Sequence, residues 1–397
     1  MSLPFRRALL VSLFAALAAC SESGDGGSPV PASVQLTPGS RAFTAVGQTQ
    51  QFTATVRDAQ GNTIAGAGET WSSTNTAIVT VDASGLATAR ALGSAQVRAT
   101  AGGVVGSASV TVGTVGAYNV EVRFLTAMTP AQQQTFTNAA ARWGTIIQGD
   151  VPNVPVDTFD LGTGDCGSNS PPVNETVDDI IIFATIEAID GPGNVLAQAG
   201  PCLLRLPSWL PIVGRMRFDL ADVPGLETAG QLDEVILHEM GHVLGYGVIW
   251  SSQFLGLLAD SGLADPYFTG AQARQAFDSI GPLYAGGNEV PVENTGGSGT
   301  ANSHWRESVF ERELMTGFLD GGVANPLSVV SVASMQDLGY TVNRAASDPF
   351  SCPSFPCPLV LAPGARRSAP IELRDDVAPG PIRLLDPQGR VTGIIWR

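Results

Sequence analysis

The residues of this chain best suited to chemistry are its histidines. There are three, and two of them frame the run His238-Glu239-Met240-Gly241-His242. On a helix, side chains four apart stand one above the other on the same face, so both imidazoles can reach one ion. Glu239 can then touch a water on that ion without ligating the metal itself. Zinc with three protein ligands and one open position lowers the pKa of such a water to about 7, and a carboxylate beside it can serve as general base. The apolar lead-in Val235-Ile236-Leu237 places the motif on a buried helix. A metal-free pair of core histidines is the bland alternative, but in so histidine-poor a chain a chance match is on the order of one in a thousand.

A third ligand is needed, and the one histidine left is His304, 62 positions after His242. Carboxylates are the other choice: Asp260 and Asp265 follow His242 by 18 and 23 positions. No fourth protein ligand, such as a neighbouring Cys, is evident to close a structural zinc site. Gly245 fits a sharp exit from the helix at positive φ, whether toward a distant ligand or as an ordinary cap. Asp233 and Glu234 either support the ligands or simply favour the helix dipole.

These residues carry a family resemblance. His238 to Gly245 opens the metzincin signature His-Glu-x-x-His-x-x-Gly, whose third His normally comes three residues after the Gly, where this chain has Val248. The chain instead resembles leishmanolysin-type peptidases, in which a long insertion precedes that His. The second block is His304-Trp305-Arg306-Glu307, then Glu313-Leu314-Met315-Thr316-Gly317. The resemblance covers about residues 118–345. It implies an α+β metzincin-like domain, one zinc per chain, Met315 as the floor beneath it, a closing helix within Ser331 to Tyr340, and an extended polypeptide as substrate. The other function class to weigh is a surface adhesin or binding protein with an inactive zinc fold, which the intact Glu239 argues against.

The elements around the motif read as mixed structure. Tyr118 to Leu125 alternates as a strand, Thr129-Pro130 opens a helix with Thr as N-cap, and Val177 to Ile186 suits a buried strand. Asn194 to Ala199 and Met216 to Leu220 are further strands, the former a sheet edge along which a peptide could lie. Residues 231–245 form the helix of the motif, residues 248–303 show no strong periodicity, and the tail 346–397 carries no assigned role.

Ahead of this domain, residues 31–115 show short alternating runs separated by turn signals, the pattern of an all-β sandwich. The stretches from Trp71 to Asn75, Ala77 to Val81, Ser84 to Ala89 and Gly93 to Val97 resemble the bacterial immunoglobulin-like group 2 domain. Residues 21–30 have a tether composition. Residues 1–20 read as an export signal: Arg6 and Arg7, a short apolar run, then Leu17-Ala18-Ala19-Cys20, which resembles a bacterial lipobox with Cys20 lipidated. Ser21 favours the outer membrane of a Gram-negative host; without lipidation the chain would be extracellular. No later stretch is a membrane span. Cys166, Cys202, Cys352 and Cys357 suit two disulfides in an exported protein, with nearest-neighbour pairing preferred among three connectivities. A formal charge of −15 without basic clusters excludes nucleic acid as a partner, and a monomer is expected.

Overall fold

The computed structural model describes residues 29–43, 46–91, 93–112, 118–282, 289–297, 299–357 and 370–397. Residues 1–20, read above as an export signal ending at Cys20, and nearly all of the 21–30 stretch read as a tether lie outside them. Among the described residues no helix is long and apolar enough to cross a membrane.

Residues 32–112 form a β-sandwich. One sheet runs Ser40–Phe43, Val104–Val112, Gly93–Ala101, Thr70–Ser73; a second joins Thr49–Gln51, Leu86–Ala89 and Val79–Val81. Alternate side chains point inward, so Leu36, Phe43, Phe52, Val79, Val97 and Val110 make a core against which Trp71 packs.

The second unit is built on one mixed sheet. Its strands are β1 (Val120–Phe124), β2 (Ile180–Glu187), β3 (Ala197–Arg205) and β4 (Pro211–Asp219), followed late in the chain by β5 (Pro381–Leu385) and β6 (Val391–Trp396), in the order β1-β2-β4-β3-β5-β6. Strands β1, β2 and β4 are parallel, and β3 runs antiparallel to β4. Both sequence-predicted strands in this middle region are too short. Strand β3 carries Gly200-Pro201 in its interior and β4 begins at a proline and contains Gly214. Such residues read as breakers, yet Pro201 sits at a register shift where a missing donor is tolerated. All nine residues of β3 are buried, so no polar alternation marks its true length.

Helix α1 (Pro130–Ile146) starts with a full capping box between Thr129 and Gln132 and buries Phe136, Ala139, Ala140 and Trp143. Helix α2 (Leu232–Val243) lies against the same face of the sheet. A Cβ on Gly214 would come within 2.4 Å of Val243 Cγ1, so the glycine lets helix and sheet approach closely. Trp143 ties the two helices, donating from Nε1 to the Leu237 carbonyl at 3.0 Å. Beyond α2, the stretch without periodicity contains a small three-stranded sheet and helix α3 (Ala271–Ile280), packed on helix α4 (Val329–Asp337).

Cys166 is bonded to Cys202 and Cys352 to Cys357. The tail that the sequence leaves without a role is part of the second unit, since β5 pairs with β3 and β6 with β5.

Candidate metal centre

Helix α2 presents His238 and His242 on one face, as four-residue spacing requires, and the chain then leaves the helix at Gly245 with φ of +102°. His304 arrives on the loop that precedes Trp305, which bridges in parallel to Thr316. Each ring is fixed from behind. The Nδ1 of His238 lies 2.7 Å from the Leu314 carbonyl, that of His242 2.9 Å from the Tyr246 carbonyl, and that of His304 2.9 Å from the Thr300 carbonyl. A carbonyl can only accept, so each Nδ1 carries the proton and each Nε2 offers a lone pair.

The three Nε2 atoms face one another at 3.0, 3.0 and 3.2 Å. Three acceptors cannot satisfy each other, so this geometry calls for a cation between them. Burial lowers the pKa of His238 and takes His242 to about 4, which keeps both rings neutral and ready to ligate.

A fourth donor completes the cluster, and it is one the sequence reading missed. Asp376 Oδ2 lies 2.9 Å from His304 Nε2, 3.3 Å from His238 Nε2 and 3.7 Å from His242 Nε2. The donors thus form a tetrahedron with edges of 2.9–3.7 Å. A regular one of edge about 3.3 Å has its centre about 2.0 Å from each corner, the length of a zinc–nitrogen or zinc–oxygen bond. Burial works to raise the Asp376 pKa, but the charge that His304 can carry and hydrogen bonding to the imidazoles outweigh it and hold the carboxyl well below its usual range, while Asp376 in turn raises the pKa of His304 against the effect of burial.

The carboxylates weighed from sequence are elsewhere. Asp265 pairs with Arg306, and Asp260 is exposed in a turn at φ of 51°. Glu234 accepts from Asn325 at 2.8 Å, so its partner is a loop amide and not a ligand. Glu239 is fully buried and neither of its oxygens has a hydrogen-bond partner. Burial pushes its carboxyl well above the usual range, and the nearby Asp376 charge adds to the shift. Met315 lies under the helix: a Cβ on Gly241 would meet its Cε at 2.8 Å and its sulfur at 3.3 Å. Its turn is held by Glu313, which accepts from Met315 N at 2.6 Å and from Ser331 Oγ at 2.5 Å.

The leishmanolysin family profile matches residues 168–348, and the profile of the bacterial Ig-like domain (group 2) matches residues 32–112. Residues 168–348 are thus similar to leishmanolysin, and residues 32–112 to a bacterial Ig-like domain. A leishmanolysin from Leishmania donovani is 26% identical over 198 residues, which is 45% of this chain and 31% of that protein. The chain therefore spans about a third of the length of that curated relative. Among solved structures, domains 4 and 5 of the S-layer protein SbsC match at 24% identity over 22% of this chain and 54% of that one, with a TM-score of 0.20. An intimin mutant from EHEC O157:H7 matches at 26% identity over 21% of this chain and 43% of that one, with a TM-score of 0.14. Asp376 lies outside both matched regions.

Proposed function

We propose that the chain is a zinc metalloendopeptidase that cleaves extracellular polypeptides, working as a monomer held at the outer membrane by a lipid on Cys20. The observation that carries this reading is the convergence of three backbone-oriented imidazoles beside Glu239, a buried carboxylate with no partner of its own. His238, His242 and His304 would hold the zinc. Zinc in such a site supplies Lewis acidity, lowering the pKa of a water and polarising a peptide carbonyl. Glu239 would take the proton of the attacking water and return it to the leaving amine. The protonated Nδ1 atoms, anchored on carbonyls, keep all three rings aimed at the metal.

A second reading is favoured by Asp376. Four protein donors in a tetrahedron are the pattern of a closed structural zinc site, which would suit a binding protein with a retired active site. Glu239 weighs against it, because a purely structural site has no use for a buried, unpartnered carboxylate beside the ligands.

The test is metal content and casein hydrolysis of the soluble chain from Ser21 onward, with Glu239→Gln alongside. One zinc per chain, with chelator-sensitive hydrolysis that the substitution removes, supports the peptidase. Absence of zinc overturns it. For the anchor, Cys20→Ala should move the exported chain from the membrane fraction to the soluble one; continued membrane retention would argue against lipidation there.

A further inference from the structure

Resting on the peptidase reading, we propose that Asp376 is a fourth ligand to the zinc and that residues 371–378 are an internal inhibitor lying in the substrate cleft. The segment crosses the metal centre from one wall to the other. On the His304 side, Ile371–Glu372 pairs antiparallel with Phe318–Leu319, Leu373 N donates to the Gly317 carbonyl at 2.9 Å, and Thr300 Oγ1 donates to the Leu373 carbonyl at 3.1 Å. Gly299 N donates to Asp375 Oδ1 at 3.1 Å. On the opposite side, Gln198 Nε2 donates to the Asp375 carbonyl at 2.8 Å.

The segment then takes the edge of the sheet. Ala199 N donates to the Asp376 carbonyl at 2.7 Å, and Ala378 N donates to the Ala199 carbonyl at 2.8 Å. These are the main-chain groups with which the first half of β3 would bind an extended polypeptide as an added strand. An incoming peptide cannot use them while residues 376–378 do. Between the two anchorages the Asp376 side chain reaches down onto the three imidazoles, and there it fills the position a catalytic zinc keeps open. The cover is complete: His238, His242, His304 and Glu239 have no exposed surface.

A carboxylate is a suitable plug. It binds zinc as an anionic oxygen ligand, as a hydroxide or a substrate oxygen would, but carries no hydrolysable bond at that point. The strand runs parallel to β3 and continues into β5, so the inhibitor is tethered to the sheet it blocks. The leishmanolysin match ends at residue 348, well before this segment.

The experiment compares the full exported chain with Asp376→Ala and Asp376→Asn, each loaded with cobalt in place of zinc for visible absorption and with zinc for casein hydrolysis. The near-isosteric Asn variant guards against a packing defect in the Ala variant. Both are expected to bind one metal, to shift the cobalt spectrum from that of the wild type, and to hydrolyse casein faster. If the plugged form holds nine-tenths or more of the wild-type molecules, the gain is about tenfold or more, and adding Glu239→Gln should remove it. An unchanged cobalt spectrum in both variants overturns Asp376 as a ligand. Equal, Glu239-dependent hydrolysis in wild type and variants overturns the inhibitor while leaving the peptidase standing. A shifted spectrum with no hydrolysis by any form overturns the inhibitor together with the peptidase reading and leaves a four-ligand structural site.

Discussion

Gly241 sits between the two histidines of α2, at the point where Met315 presses against the helix from below. Any Cβ there would be 2.8 Å from Met315 Cε and 3.2 Å from the Trp143 ring. Gly241→Ala therefore overpacks a rigid spot and should cost about 1–3 kcal/mol, measurable as a lower denaturation midpoint in the zinc-loaded protein. Glu239→Gln acts differently. It keeps shape and metal but cannot take a proton, so hydrolysis should fall by about 10²–10⁴-fold with zinc content unchanged; undiminished turnover would remove Glu239 from the mechanism. His304→Ala should lose most of the bound zinc, since the other imidazoles share one helix and His304 brings the second direction of approach. Full zinc retention in that variant would mean that Asp376 suffices as the third ligand.

The helices and strands around the site hold those residues through a small number of long-range links. The Cys166–Cys202 bond closes a loop of 36 residues onto β3, and a loop of that length restricts the unfolded chain by about 3–4 kcal/mol. Replacing both with Ser should lower stability by up to that amount in urea titration, and no change would show that the loop is held by its other contacts. At the start of β2, Asp179 receives the Asn119 N–H at 2.6 Å and the Val151 N–H at 3.0 Å. Burial nonetheless raises its pKa from 3.8 to about 7. The folded state then binds this proton more tightly than the unfolded chain does, so the stabilisation is full below about pH 4 and is lost as pH rises to about 7. Denaturation of wild type and Asp179→Asn across that range should show the wild type losing stability relative to the variant. Parallel pH profiles would mean that the two N–H donors keep the carboxylate ionised.

At the scale of the molecule, two units with separate cores stand in series, the sandwich around Phe43, Phe52 and Val97 and the mixed unit around Trp143, Met216 and Ile236. They touch through polar links, including Arg123, which pairs with Glu121 at 2.7 Å and Glu175 at 2.6 Å and also donates to Ser40 of the sandwich. Zinc would be held wholly within the second unit. Removing it with chelator strips a buried cluster of lone pairs and carboxylates of its cation, and a ligand present at about a thousand times its Kd contributes about 4 kcal/mol. Calorimetry should therefore show one transition moving down with chelator while the sandwich transition stays. A coordinated shift of both would show that the units unfold together.

Much of this was legible in the residues themselves because it is written at short range. Four-residue spacing puts His238 and His242 on one helical face, Thr129 and Gln132 cap α1 across a single turn, and alternation marks the sandwich strands. Motif spacing extended that reach to His304 and Met315, although only through likeness to a known pattern. The length of β3 was hidden, because a strand buried on both faces has no polar rhythm and its internal proline imitates a break. Asp376 was hidden more deeply. It follows His242 by 134 positions, in a stretch with no periodicity, and nothing about an Asp-Asp pair distinguishes a ligand from a solvated turn. What brings it to the metal is the pairing of the tail with the edge of β3 and with Phe318–Leu319. Which strand lies beside which is settled by the whole sheet, and no local pattern of residues records it.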